Sequence, residues 1–209
     1  DMFRIGSHIS SAKGYLAMGK EAARIGATTF QFFLRNPRGG RAKALDHDDI
    51  ARFLAFVGEH DIGPLVAHAS YVLNPAAIDR LKDFVHDTIA DDFARLEFTP
   101  GNMYNIHPGH AKGQGMDDAV KTVAATLDGV MTPGMHSTVL LETMSGGGNE
   151  IGGRFEALRA IIDASDNGKR LRGGIGTGHG LALIPILRRR RTIPWTSRGY
   201  TVELTNKQP

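Results

Sequence analysis

Short apolar runs followed by stretches of helical periodicity recur along this chain, and three of them end on a side chain that can bind a metal. Leu65-Val66-Ala67-His68, Met103-Tyr104-Asn105-Ile106-His107 and Thr138-Val139-Leu140-Leu141-Glu142 are separated by 107 − 68 = 39 and 142 − 107 = 35 residues. A strand with its crossover helix occupies roughly 30 residues or more, so the candidate ligands recur with the period of a βαβ unit. In a parallel barrel the C-terminal ends of all strands lie on one face, where groups this far apart in sequence can converge. Two imidazoles and a carboxylate brought together there suit zinc, whose catalytic sites often take three protein ligands and leave a position for water.

The same alternation extends in both directions. Residues 5–9 read as a first strand and residues 30–34 as a second, with helices over 11–25 and 46–60 set by apolar residues at helical spacing. Further helices are expected over 78–96, 117–130 and 155–164, and a sixth strand over 173–177 leads to His179. Strand and helix alternating five times is the pattern of a parallel sheet with crossovers. The expectation is therefore an α/β protein of the (β/α)8 TIM-barrel type, incomplete after about the sixth strand. The chain has 209 residues, whereas a complete barrel of eight strands takes about 250. Residues 1–184 are assigned to the barrel and residues 185–209 to a divergent basic tail that is not a separate domain. An open sheet of this kind would leave two unpaired edges, so self-association is expected.

Charge separates the tail from the rest. Of the net charge of +3, residues 185–209 carry +5, from six basic residues against Glu203, which leaves −2 for the remainder. Arg188 to Arg191 could grip phosphates, but such a run more often forms a solvated helix end or tail. No run of about 18 apolar residues and no basic-then-apolar leader is visible, and cysteine is absent. The expected location is the cytoplasm, with no membrane span.

Several motifs in fixed order carry a more specific message: Ile5-Gly6-Ser7-His8-Ile9-Ser10, Phe33-Leu34-Arg35-Asn36-Pro37-Arg38, Val66-Ala67-His68-Ala69-Ser70-Tyr71, Ile106-His107-Pro108-Gly109, Leu141-Glu142 with 148–152, and Thr177-Gly178-His179. The stretch from Ile5 to His179 resembles the endonuclease IV family of apurinic/apyrimidinic DNA-repair enzymes. That resemblance implies a (β/α)8 barrel with a three-zinc cluster that hydrolyses the phosphodiester 5′ to an abasic site in DNA. It also implies that His68, His107 and Glu142 hold one zinc, with His107 and Glu142 at the catalytic centre and Glu142 bridging to a second ion. His179 matches a ligand of the third. His8, Arg35 and Tyr71 match residues on the DNA-facing rim, where Arg35 and Tyr71 suit phosphate contact or intrusion into the base stack.

The chain departs from the family pattern at defined places. Gly176 stands where the sixth strand normally ends in a ligand Asp, Thr143 follows Glu142 where Asn is usual, and Gly39-Gly40 replace a frequent aromatic. Beyond His179 there is no histidine and the only acid is Glu203. One zinc site is complete in the sequence and two are not, so impaired activity is expected. The alternatives are a remnant or scaffold that binds zinc or DNA without turnover, and a metal-dependent sugar isomerase or epimerase. The last would be expected to show Lys or paired acids for proton transfer near the metal.

Overall fold

A computed structural model of the chain describes residues 4–176 and 181–183. Five strands run parallel in sequential order: β1 (Gln31–Phe33), β2 (Val66–His68), β3 (Met103–Ile106), β4 (Thr138–Glu142) and β5 (Leu171–Gly176). The intervening helices are α2 (His47–Glu59), α3 (Lys82–Leu96), α4 (Met116–Val130) and α5 (Phe155–Ala164), with α1 (Tyr15–Arg24) before β1. This is a partial barrel of the expected type. Among the described residues no helix is long and apolar enough to cross a membrane. His179, the expected strand at 199–204 and the basic tail lie outside the described residues.

The core fills the layer between sheet and helices. Phe32, Ala67, Tyr104, Val139 and Leu141 point outward from the strands and meet Met18, Phe53, Ile89, Leu127 and Leu158 from the helices, all essentially inaccessible to solvent. Alternation along each strand leaves Phe33, His68, Asn105 and Glu142 on the opposite, interior face. Pairing of His68 with Asn105 and of Ile106 with Leu141 sets the strands so that their C-terminal ends finish together.

Some elements differ from the sequence reading for local reasons. The expected first strand survives only as a parallel bridge between His8 and Gln31, with Ile9 N donating to Gln31 O at 2.8 Å. Gly6 allows the chain to run against the next segment there, since a Cβ at this position would lie 1.7 Å from Thr29 O. The first helix is divided by Gly14, whose φ of +93° breaks Ser11–Lys13, a turn of 3-10 helix, from α1. The third helix starts at Lys82, four residues late, because Asp79 turns the preceding segment by accepting from Leu81 N and Lys82 N. After β5 a strand β6 (Leu181–Leu183) returns antiparallel, pairing Gly176 with Leu181. The four residues between β5 and β6 are far too few for a parallel crossover, which needs a dozen or more.

Asp49 joins the first two helices. Its carboxylate accepts from Tyr15 N at 2.6 Å and more weakly from Leu16 N, so it caps α1 from α2. A carboxylate at a helix N-terminus satisfies otherwise unpaired amides and matches the helix dipole. Asp49→Ala is expected to lower stability by about 1 kcal/mol, measured as a shift of the urea midpoint with an unchanged slope.

Candidate metal centre

His68 closes β2, His107 follows β3 directly and Glu142 closes β4. Their ligand atoms lie within 4.8 Å of one another, the one such group of His, Cys, Asp and Glu among the described residues. His68 Nε2 lies 3.1 Å and His107 Nε2 3.4 Å from the same atom, Glu142 Oε2. Access is graded: the side chains of His68, Glu142 and His107 are 4%, 14% and 29% exposed. The trio is thus open toward solvent on the His107 side.

The second nitrogen of His68 determines what this arrangement can do. Nδ1 lies 2.7 Å from Ala69 O, and a carbonyl only accepts, so Nδ1 carries the hydrogen. In neutral His68 the bare lone pair of Nε2 then faces a carboxylate oxygen. Two acceptors at 3.1 Å repel, so the contact requires a positive charge, either a proton on the ring or a metal ion held by both groups. Burial of Glu142 opposes its ionisation, but His107, His68 and the Asn105 amide outweigh burial and hold the carboxyl far below the usual carboxylate range. The donor set therefore fits a divalent cation such as zinc.

Aromatic rings wall the site. Phe33 packs on His68 at 5.1 Å between centroids, Tyr71 lies 5.2 Å from His68 and 5.5 Å from His107, and the two imidazoles are 5.2 Å apart, edge to face. Tyr71 is 57% exposed and stands at the edge of the site. His8 lies across Phe33 from the trio, with ring centroids 4.8 Å apart. Desolvation, and then the proximity of His68, lowers its pKa.

Arg35 is elsewhere. Its guanidinium, only 7% exposed, donates through Nε to Asp92 Oδ1 at 2.8 Å and through Nη2 to Asp91 Oδ2 at 2.6 Å. Asp92 also accepts from the hydroxyl of Tyr104, which is fully buried, at 2.7 Å. The expected phosphate contact by Arg35 is corrected accordingly: both charges that its side chain could meet are supplied internally by α3. Burial pushes the Asp92 carboxyl up, and the bonds from Tyr104 and Arg35 only partly reverse this. Arg38 is an exposed cation of this loop, and its backbone is fixed by Asn36 Oδ1 accepting from Arg38 N at 2.9 Å. Pro37 O in turn accepts from Ser70 Oγ and Tyr71 N, both at 2.9 Å, which ties the Arg38 loop to the Tyr71 rim.

Two asparagines escaped the sequence reading. Asn74 clamps the turn after His107, with Oδ1 accepting from His110 N and Nδ2 donating to His110 O. Gly109 makes room for it, at φ +93° with a Cβ position 2.0 Å from Asn74 Oδ1. Asn105 is wholly buried and donates to Glu142 Oε2 at 2.5 Å. Its signal was available, because Asn105 lies two residues before His107 in the same extended run and so shares its face.

The class of protein these features define is matched by sequence comparison. Residues 20–185 fit the xylose isomerase-like TIM barrel family, and the chain belongs to it. Within that family the resemblance to endonuclease IV holds. The chain is 48% identical over 163 residues to the probable endonuclease 4 of Alkaliphilus oremlandii, covering 78% of this chain and 58% of the relative. It is 50% identical over 163 residues to that of Akkermansia muciniphila, covering 78% and 59%. The crystal structure of endonuclease IV from Thermus thermophilus superposes with a TM-score of 0.72 at 28% identity, over 85% of this chain and 64% of that one. The chain therefore spans a little under three fifths of the length of the curated relatives it matches.

The buried charges make a direct prediction. Arg35→Ala strands Asp92 against Tyr104 without a cation, and the expected loss is roughly 3 kcal/mol of stability, seen in urea denaturation. A change below about 0.5 kcal/mol would mean the pair is no better than a solvated one.

Proposed function

We propose that this chain carries part or all of a zinc-dependent endonuclease that hydrolyses the phosphodiester 5′ to abasic sites in DNA. The observation that carries the reading is the convergence of two imidazole nitrogens on one carboxylate oxygen, an arrangement that a metal ion held by all three groups would satisfy. The similarity to the probable endonucleases 4 supports the reaction class. A metal-dependent sugar isomerase is disfavoured because, among the described residues, no lysine and no second carboxylate hydrogen-bonds to the trio.

His68, His107 and Glu142 would hold the zinc. When bound, the ion supplies Lewis-acid polarisation of a phosphoryl oxygen and offsets developing negative charge. The protein's own groups do the rest. His68 is oriented by Ala69 O, and Glu142 is held ionised by its donors. The half-exposed Tyr71 ring is placed to stack against a base beside the missing one, since base–aromatic stacking needs only a π-face. Arg38, tethered to the same rim, supplies the phosphate contact that Arg35 does not. His8 faces the site from the far side of Phe33 and is kept neutral by its surroundings, so it suits hydrogen bonding to the strand rather than ion pairing.

Gly176 contributes no donor atom. We infer fewer than three zinc ions per chain and activity well below that of a complete cluster, since each ion can contribute several kcal/mol to transition-state stabilisation. Elemental analysis of purified protein returning three tightly held ions would overturn the stoichiometry.

Cleavage of a duplex with a single abasic site should require zinc and fall by at least about 100-fold in His107→Ala, the equivalent of roughly 2.7 kcal/mol. Cleavage that survives this substitution or exhaustive chelation would refute the assignment. Arg38→Ala should weaken binding of the same duplex and reduce the salt slope by about 0.9, one phosphate contact. An unchanged slope would remove Arg38 from the interface.

A further inference from the structure

We infer that Asn105 is the positioning residue of the metal centre: its side-chain amide donates to Glu142 Oε2 at 2.5 Å and keeps that carboxylate aimed at the ion. The inference rests on the zinc reading of the trio and deepens it. Three nitrogens converge on Glu142 Oε2, those of His68 at 3.1 Å, His107 at 3.4 Å and Asn105 at 2.5 Å. A metal ion is bound by the neutral imidazole lone pair, so any Nε2 proton that reaches Glu142 must leave as the ion arrives. An amide N–H is not lost in this way. Of the three, Asn105 alone still donates to Glu142 when the site is loaded.

The orientation of the amide follows from the same geometry. A reversed Asn105 would bring Oδ1 to 2.5 Å from a carboxylate oxygen, two acceptors in contact, so Nδ2 faces Glu142. Oδ1 is consequently turned away toward β5, where it is buried with no partner among the described residues. A Cβ placed on Gly174 would lie 3.4 Å from it, so the oxygen faces the backbone of β5. The residue thus accepts an unsatisfied carbonyl inside the barrel in order to present its N–H to Glu142. Burial without satisfaction is costly, and a side chain kept for stability alone would be apolar at this position.

The test is cobalt(II) binding followed by its visible ligand-field spectrum, together with zinc affinity by competition against a chromophoric chelator. Asn105→Ala and Asn105→Leu are compared with the parent and with His107→Ala, and each melting temperature is taken in chelator. Outer partners of ligands typically contribute 10–100-fold in affinity. Both Asn105 variants should bind zinc roughly 10–100-fold more weakly and show altered cobalt band intensities, while their chelated melting temperatures stay within a few degrees of the parent's. The leucine variant refills the volume and covers the case in which the alanine protein does not fold. Affinity within about twofold of the parent, well short of the loss expected for an outer partner, with an unchanged cobalt spectrum in a folded variant, would overturn the inference. A parent that binds no better than His107→Ala would overturn the metal reading itself, a separate outcome.

Discussion

Everything at the site depends on the register of three parallel strands. His68 pairs with Asn105, and Asn105 with Leu140, so the interior-facing residues of β2, β3 and β4 have matching parity. His68, Asn105, His107 and Glu142 then point the same way, and a slip of one residue in any strand would turn its share of the site toward the helices. The register is held by the outer face. Ala67, Tyr104, Val139 and Leu141 are inaccessible against the helix layer, and shifting any strand would expose them. At about 25 cal/mol per Å2 of apolar surface, burying even one such side chain is worth more than most single hydrogen bonds. Packing on one face thereby fixes the chemistry on the other.

β3 shows both sides of that arrangement in four residues. Outward, Tyr104 donates to Asp92, which Arg35 neutralises; inward, Asn105 donates to Glu142. Each carboxylate is placed where desolvation would raise its pKa, and each is met by fixed donors. The results differ because the donors differ: Asp92, almost wholly buried, remains raised, whereas Glu142 is lowered by three donors on a single oxygen. Arg35 also connects the two sides. It begins the loop whose Pro37 carbonyl holds Ser70 and Tyr71, so the salt bridge to α3 anchors the rim that carries Arg38.

The architecture was legible in the sequence because it rests on period. Apolar runs ending on His68, His107 and Glu142 at one-repeat spacing predict converging strand ends, and the three do converge. Local devices were less legible. Gly14 dividing a helix, Asp79 delaying one and the antiparallel return of β6 after only four residues each depend on a single side chain or length that periodicity averages away. The destination of Arg35 was hidden for a different reason. Its partners lie 56 and 57 residues away on α3, and a long-range charge pair leaves no mark in the local pattern. An arginine beside a candidate site reads as free until the acids that claim it have been located.

That distinction separates a binding rim from a catalytic remnant. Two arrangements at the centre are unfavourable on their own: a carboxylate facing His68 Nε2, which can donate only when the ring carries a second proton, and a buried amide whose oxygen has no partner among the described residues. Strain that persists in a packed interior is retained where something over-determines it. A bound cation would account for both. It would remove the repulsion between His68 and Glu142, and it would give a reason for an asparagine beside them, which can donate to a carboxylate without losing a proton, rather than a leucine that would fill the same space. The contact is poor in the absence of a positive charge and good in its presence, which is the electrostatic requirement of the site proposed above.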